Sequence, residues 1–333
     1  MRTRFDDHRG LADLPYFELR DGRLAIAAGI GPAIDVHTHL ALAYAGGRVD
    51  LDAAHERTEH YLPVDRPLDL DVYMNRNFTA EDLRRLRRDL TLMSVTGRGM
   101  RRTHTAPNLL REMADLGIRT SVLLPIDFPV LSRNAEAFLD VAGRHPGLVS
   151  LGSVHPFARN PGERLEAQKR AGARGIKVHP AVQLVSPDCR RAHELYDLCG
   201  ALGLPVLFHC GPVDIEPRLG RWLSQVKHYW RAVADHPGTT FVLGHSGALQ
   251  MERALELCQR YPNVYLETSS QGLPNVRRIL AEAPADRILF GSDWPFYHQA
   301  TALAKVLIAT EGDDAARRRA LWANAARLFG IER

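Results

Sequence analysis

The sequence is short of cysteine. It has four in 333 residues, Cys189, Cys199, Cys210 and Cys258, with no C-x-x-C pair among them. Without a pair and without a segment marking export, they read as reduced thiols packed inside a cytoplasmic enzyme, not as a disulfide framework. Long apolar runs are missing too. No stretch approaches the roughly 18 apolar residues that a membrane span requires. The amino-terminal MRTRFDDHRG carries acidic residues and leads into no apolar segment. The expectation is a soluble, cytoplasmic protein with no membrane partner. Charge of one sign is absent as well: 43 Lys and Arg against 39 Asp and Glu leave a net +4. The densest basic run, Arg84, Arg85, Arg87 and Arg88, alternates with Leu83 and Leu86 and has no aromatic residue interleaved. It reads as the solvated face of a helix over 81–90, so no nucleic-acid partner is expected. Arg98, Arg101 and Arg102 are the one basic cluster placed to meet an anionic substrate, though a plain surface cluster reads equally simply. Internal repeats and low-complexity segments are also lacking.

Hydrophobic residues at 45% and charged residues at 25% provide for a large buried core. From 119 onward, short β-rich runs alternate with helical patterns, the rhythm of a parallel sheet with crossover helices. The strands predicted are 33–36, 120–124, 149–154, 175–178, 205–208, 240–243, 264–267 and 288–290. Eight parallel strands close a barrel, so the fold class is α/β, a (β/α)8 TIM barrel forming one domain over 1–333. Ser186 and Pro187 predict a helix start, with the helix running to Leu202 and stopped by Gly203. Asn160-Pro161 starts another, one ends near His145-Pro146-Gly147, and helices from about Gln299 and Ala315 finish the outer ring. Residues 41–117 are too long for a βα loop and are read as an insertion after the first strand, capping the active-site mouth or building an oligomer interface. Within it His55, His60, Tyr61 and His104 are candidate substrate contacts, each equally readable as surface or packing. Residues 1–32 are expected to form a short amino-terminal arm of two strands. A homo-oligomer, a dimer, is expected.

The chemistry is concentrated at the strand ends. In DVHTH (35–39) side chains alternate, so His37 and His39 face one way, into the barrel. Alone, H-x-H is a weak signal. It gains weight because FHCG (208–211) ends the fifth strand with His209, GHSG (244–247) ends the sixth with His245, and GSDWP (291–295) ends the eighth with Asp293. Histidine occupies only 15 of 333 positions, so its recurrence at these ends is poorly explained by core packing one residue at a time. A barrel brings such residues to its carboxyl rim, where His37, His39, His209 and Asp293 could surround one divalent ion and leave a position open for water. Zinc leads, with Mn or Fe also suited. In GIKVHP (175–180) the fourth strand adds Lys177 and, two residues on, His179. A buried lysine is costly unless used. It is read as a carbamate bridging two ions, as a free ammonium orienting substrate, or as an ordinary strand-end lysine reaching solvent. His155, at the end of the third strand, is read as a pocket wall.

Together DVHTH, GIKVHP, FHCG, GHSG and GSDWP resemble the amidohydrolase superfamily, and most closely its amidohydrolase-2 branch, which contains hydrolases and non-oxidative decarboxylases. The resemblance covers most of the chain and is poor across 41–117. It implies that His37, His39 and His209 are ligands, that Asp293 is a ligand and proton shuttle, and that His245 is a second-metal ligand or an acid/base. Binuclear members carry a carboxylated lysine on the fourth strand, which Lys177 matches, whereas many decarboxylases of the branch are mononuclear and lack it. One or two ions are thus both open. The resemblance also suggests Asp35 as support for the first histidine pair and Trp294 as pocket lining. The activity expected first is hydrolysis of a C–N or C–O bond in a small-molecule amide, lactone or ester. The alternative is decarboxylation of a small unsaturated or aromatic acid.

Overall fold

The structure, a computed structural model, describes residues 1–27, 29–44, 46–128 and 132–332. Ala28 and Ala45, within the expected arm and insertion, lie outside the described residues. In chain order the strands are β1 (Arg4–Phe5), β2 (Phe17–Arg20), β3 (Arg23–Ile26), β4 (Ala33–Thr38), β5 (Leu68–Asp69), β6 (Ile118–Leu123), β7 (Leu148–Ser150), β8 (Ile176–Val178), β9 (Val206–Phe208), β10 (Phe241–Leu243), β11 (Val264–Glu267) and β12 (Ile288–Leu289). All eight runs expected for the barrel are present. They form two parallel arcs, β4-β6-β7 and β8-β9-β10-β11-β12. Isolated parallel bridges, Gly152 to Ile176 and Thr38 to Trp294, join the arcs into a ring.

The interior of that ring is filled by apolar side chains from most of the strands, among them Ile34, Val36, Val122, Leu207, Val242 and Leu289, whereas β8 turns Lys177 inward and its Ile176 and Val178 to the outer cluster. Trp322, Ala325 and Phe329 from the last helical segments complete this cluster and so plug the end opposite the site. Neighbouring residues such as Val206, Phe208, Phe241 and Leu243 point outward into a second cluster packed under the helices. Simple alternation does not describe β4. Ile34 and Val36 belong to the interior, yet His37 also turns inward, because the register against β6 slips between Asp35 and Thr38. One extra residue is accommodated there, a bulge of the kind that re-aims a side chain beside an active site.

The helix expected from Ser186-Pro187 begins later, at Arg190, and ends at Ala201. Ser186 and Pro187 open a turn instead: Cys189 N donates to the Ser186 carbonyl, and the Pro187 carbonyl is taken by the Tyr196 hydroxyl at 3.0 Å. The helix Pro161–Arg170 starts behind Asn160, and Asn134–Arg144 ends before His145, as the punctuation suggests. Helices Gln299–Ala309 and Asp314–Arg318 follow the last strand. Near the amino terminus β2 and β3 form an antiparallel hairpin, and β1 pairs with β5, which lies within 41–117. That same stretch contains the helix Ala80–Arg88, held by a Thr79/Asp82 capping box, and ends in the crossover helix Ala106–Leu116 that feeds β6. Among the described residues no helix is long and apolar enough to cross a membrane.

Candidate metal centre

The carboxyl ends of β4, β8, β9, β10, β11 and β12 deliver His37 and His39, Lys177, His209, His245, Glu267 and Asp293 to one rim, all at most 7% exposed. Close approach of the loops needs glycine. A Cβ on Gly211, two residues past His209, would stand 1.9 Å from the carbonyl oxygen of Gly247, two past His245. One on Gly291 would meet Glu267 Oε2 at 2.4 Å.

Hydrogen bonds determine which nitrogen each imidazole offers. His37 Nδ1 donates to Glu267 Oε1 at 2.9 Å, and His39 Nδ1 donates to the Leu124 carbonyl at 2.8 Å. Ser269 Oγ donates to Glu267 Oε1 at 2.7 Å, so its lone pair accepts from His245 Nδ1, also at 2.7 Å. His245 Nε2 is then an acceptor and takes the proton of His209 Nδ1 at 3.1 Å. The outcome is that His37, His39 and His209 all keep Nε2 as a bare lone pair, the form a metal requires. His37 Nε2 and His39 Nε2 each lie 3.7 Å from Asp293 Oδ1. The three donors fall within 4.8 Å of one another. This set could hold a divalent ion. A second set within the same limit, His37, His245 and Glu267, is explained by the hydrogen bonds just described. His209 is in neither set; its Nδ1 bonds His245 and its ring stacks on His179, the centroids 4.0 Å apart.

The electrostatics favour neutral imidazoles. Burial, reinforced by the charge of Lys177, holds His37 and His209 well below the ordinary histidine range and pushes His39 down to about 3. His179 and His245 are lowered in the same way, first by burial and then by neighbouring histidines. Burial and the Glu267 carboxylate hold Asp293 well above the usual carboxylate range. Burial brings Lys177 down to about 8; its Nζ lies 3.5 Å from His37 Nε2.

Above the rim opens a cavity of about 810 Å³ whose wall includes His39, His179, His209, His245 and Asp293. Of the four candidate substrate contacts, Tyr61 and His104 line it, but His60 is turned to Glu112 at 3.1 Å and His55 lies off the lining, its amide bound to Asn108. Trp294, expected at the pocket wall, is not there: it is fully buried and its Nε1 donates to Glu112 Oε2 at 3.1 Å. Phe296 and Tyr297, just beyond it, line the cavity in its place. His155 is also off the wall, its Nε2 donating to the Gln183 carbonyl and its Nδ1 accepting from Phe157 N. Lys177 lies beneath the lining, facing His37. Arg101 does reach the cavity, but its guanidinium is spent on the carbonyls of Leu42, Gly47, Met93 and Thr96. Asp35, suggested as support for the histidine pair, meets the backbone of the first of the two. It accepts from His37 N at 3.1 Å and from Gln299 Nε2 at 2.7 Å, and burial raises its pKa to about 6. Glu267, on which the tautomers depend, went unseen in the sequence, where a lone glutamate closing a strand carries no signal of its own.

An α/β barrel with histidine and carboxylate donors gathered at its carboxyl rim beneath a deep cavity defines the class. The chain belongs to the amidohydrolase family, in its amidohydrolase-2 branch: the family's sequence profile matches residues 34–331. Among curated proteins no sequence matches. Solved structures with the same fold include an uncharacterised TIM-barrel protein from Bordetella bronchiseptica (21% identity, TM-score 0.63, 90% of this chain and 99% of that one). Another is a 5-carboxyvanillate decarboxylase from Novosphingobium aromaticivorans complexed with manganese and 4-hydroxy-3-methoxy-5-nitrobenzoic acid (15%, 0.63, 91% and 98%). A third is a probable 2-pyrone-4,6-dicarboxylic acid hydrolase from Acinetobacter baumannii with citric acid bound (14%, 0.58, 90% and 99%).

Proposed function

We propose that this protein is a metal-dependent, non-oxidative decarboxylase of a small unsaturated or aromatic carboxylic acid, working with one divalent ion. The observation that carries the reading is the cavity wall. Around the polar floor stand Tyr44, Tyr61, Tyr73, Phe128, Phe296 and Tyr297, aromatic side chains suited to a flat acid whose carboxylate is its polar end. This reverses the order in which the sequence ranks the two activities. The manganese-bound carboxyvanillate decarboxylase adds support, and the pyrone hydrolase keeps hydrolysis as the competing outcome. A single ion is favoured because His245 spends both ring nitrogens on His209 and Ser269, leaving none for a second metal. Lys177 then acts as a buried ammonium balancing Glu267 and Asp293, not as a carbamate.

A divalent cation held by the converging His37, His39 and Asp293, with His209 as the fourth ligand that the family resemblance implies, would supply Lewis-acid attraction for the substrate's carboxylate; zinc, manganese and iron all suit the donors. The remaining work falls to the chain. His179 Nδ1 accepts from Val182 N at 3.3 Å, so its Nε2–H is free to donate to a substrate oxygen. As the bond to the carboxyl carbon breaks, its electron pair stays on the remaining carbon. Asp293, lining the cavity with Ser270 donating to its Oδ2 at 3.2 Å, gives that carbon a proton and regains one from water.

The test is carbon dioxide release from a panel of hydroxybenzoates and unsaturated acids by Mn- or Zn-loaded protein in D2O, with lactones, esters and amides run alongside. Release with deuterium at the vacated carbon, lost at least 100-fold in Asp293→Asn, is expected. Elemental analysis and intact mass should give one ion per chain and an unmodified Lys177. Lactone or amide turnover without carbon dioxide would sink the proposal.

A further inference from the structure

The cavity is larger than a single-ring acid needs. At about 810 Å³ it lies near the upper end of the roughly 300–1,000 Å³ that encloses drug-sized ligands. The donors occupy one part of its surface. Much of the rest is apolar and comes from two segments that carry none of them: Leu86 and Leu90, in and just after the helix Ala80–Arg88, and Val213 and Ile215, in the loop after β9. Several polar groups interspersed there are satisfied within the protein, while Arg87 and Arg218, on the same two segments, are exposed and make no side-chain hydrogen bond or ion pair among the described residues. Tyr61 donates to Asp89 at 3.1 Å, and Tyr297 donates to Asn75. Glu216 accepts from Val213 N and Ile215 N, both at 3.0 Å, and Asn75 Nδ2 donates to the Val213 carbonyl. The buried part of this surface, Leu86 and Val213, offers no polar side chain, so an apolar group lodged there would displace poorly held water, with the two arginines at the exposed mouth.

We infer that the substrate has two parts: a carboxylated unsaturated or aromatic head at the His/Asp donors, and an apolar extension of comparable size, a second ring or branched chain, between Leu86/Leu90 and Val213/Ile215. The inference rests on the proposed reaction only for the nature of the head. Each methylene buried in such a space contributes about 0.8 kcal/mol, about a factor of four in affinity.

The test compares matched pairs on metal-loaded protein: a hydroxybenzoate and its phenyl- or branched-alkyl-extended analogue, measured by calorimetric binding and by carbon dioxide release. The extended acid should bind at least 100-fold more tightly and turn over with a correspondingly higher kcat/KM. Filling the far space with Leu90→Trp, or separately Ile215→Trp, should cut that preference at least tenfold. Equal binding of the two acids by the unaltered protein would overturn the inference, whatever the variants do. Tight binding of the extended acid without carbon dioxide would leave the inference standing and remove the decarboxylase reading. Turnover of both acids with equal kcat/KM would do the reverse.

Discussion

Glu267 organises the site without facing the substrate. One of its oxygens, Oε1, accepts from His37 Nδ1, Ser269 Oγ and His245 N, and Oε2 accepts from Ser269 N at 2.7 Å. Because an ionised carboxylate can only accept, every group around it is forced to donate, and the bare Nε2 atoms at the rim follow. Glu267→Gln keeps the shape but offers one donating end, which sets the amide against His37 or Ser269. The expected result is a 10- to 100-fold loss of ion affinity in a competition titration against a chelator, with the fold retained by circular dichroism; unchanged affinity would mean the tautomers are set elsewhere. At this scale the sequence was legible in which side chains reach the rim, as His37, His209 and Asp293 do. It was not legible where direction depends on a distant partner: Trp294 sits beside Asp293 in the chain, but Glu112, on the crossover helix, turns its indole away from the cavity.

Among the elements, the turn after β10 is the most constrained. His245, Ser246, Gly247 and Ala248 have φ of 53°, 45°, 79° and 49°, and of these only glycine adopts such values cheaply. Three contacts hold the run: Ser246 Oγ donates to the Glu267 carbonyl at 2.7 Å, and Gln271 Nε2 donates to the carbonyls of His245 at 2.6 Å and Ala248 at 2.9 Å. Gln271 is itself anchored, its side-chain oxygen accepting from Asn275 and its carbonyl from the buried Lys305. Gln271→Leu leaves two carbonyls without donors, at about 1–3 kcal/mol each if they stay dry. Thermal melting should show that loss. Since His245 orients His209, kcat should also fall at least tenfold, beyond any change in KM; wild-type kcat in a destabilised variant would separate the turn's geometry from activity. The strands themselves were readable because period and strand-end residues agree. The β4 bulge was not, since pairing register depends on β6, and neither was the late start of Arg190–Ala201, where Tyr196 captures the Pro187 carbonyl from nine residues downstream.

Across the whole molecule, the amino-terminal segment, the 41–117 stretch and the barrel meet at a buried node away from the donors. His60 Nε2 donates to Glu112 Oε2, His298 Nε2 lies 3.7 Å from the same oxygen, and His8 packs edge-on to His298. Such convergence has no signature in sequence, because the four residues come from four separate elements. Both ring nitrogens of His8 are buried without a partner, and burial, with the neighbouring His298 and His60, lowers its pKa to about 3. The folded protein therefore keeps His8 neutral while the unfolded chain, titrating near 6.5, takes up a proton. Stability tied to His8 is present above pH 6.5 and drains away as pH falls toward 3, by about 1.4 kcal/mol per pH unit. His8→Phe removes the titration and fills a similar volume. Urea unfolding at pH 8 and pH 5 should show the variant losing about 2 kcal/mol less than the wild type over that interval, an effect on stability distinct from any on turnover. Parallel profiles for the two proteins would mean that His8 is protonated or hydrated in the fold, and that the node does not confer acid lability on the junction between arm and barrel.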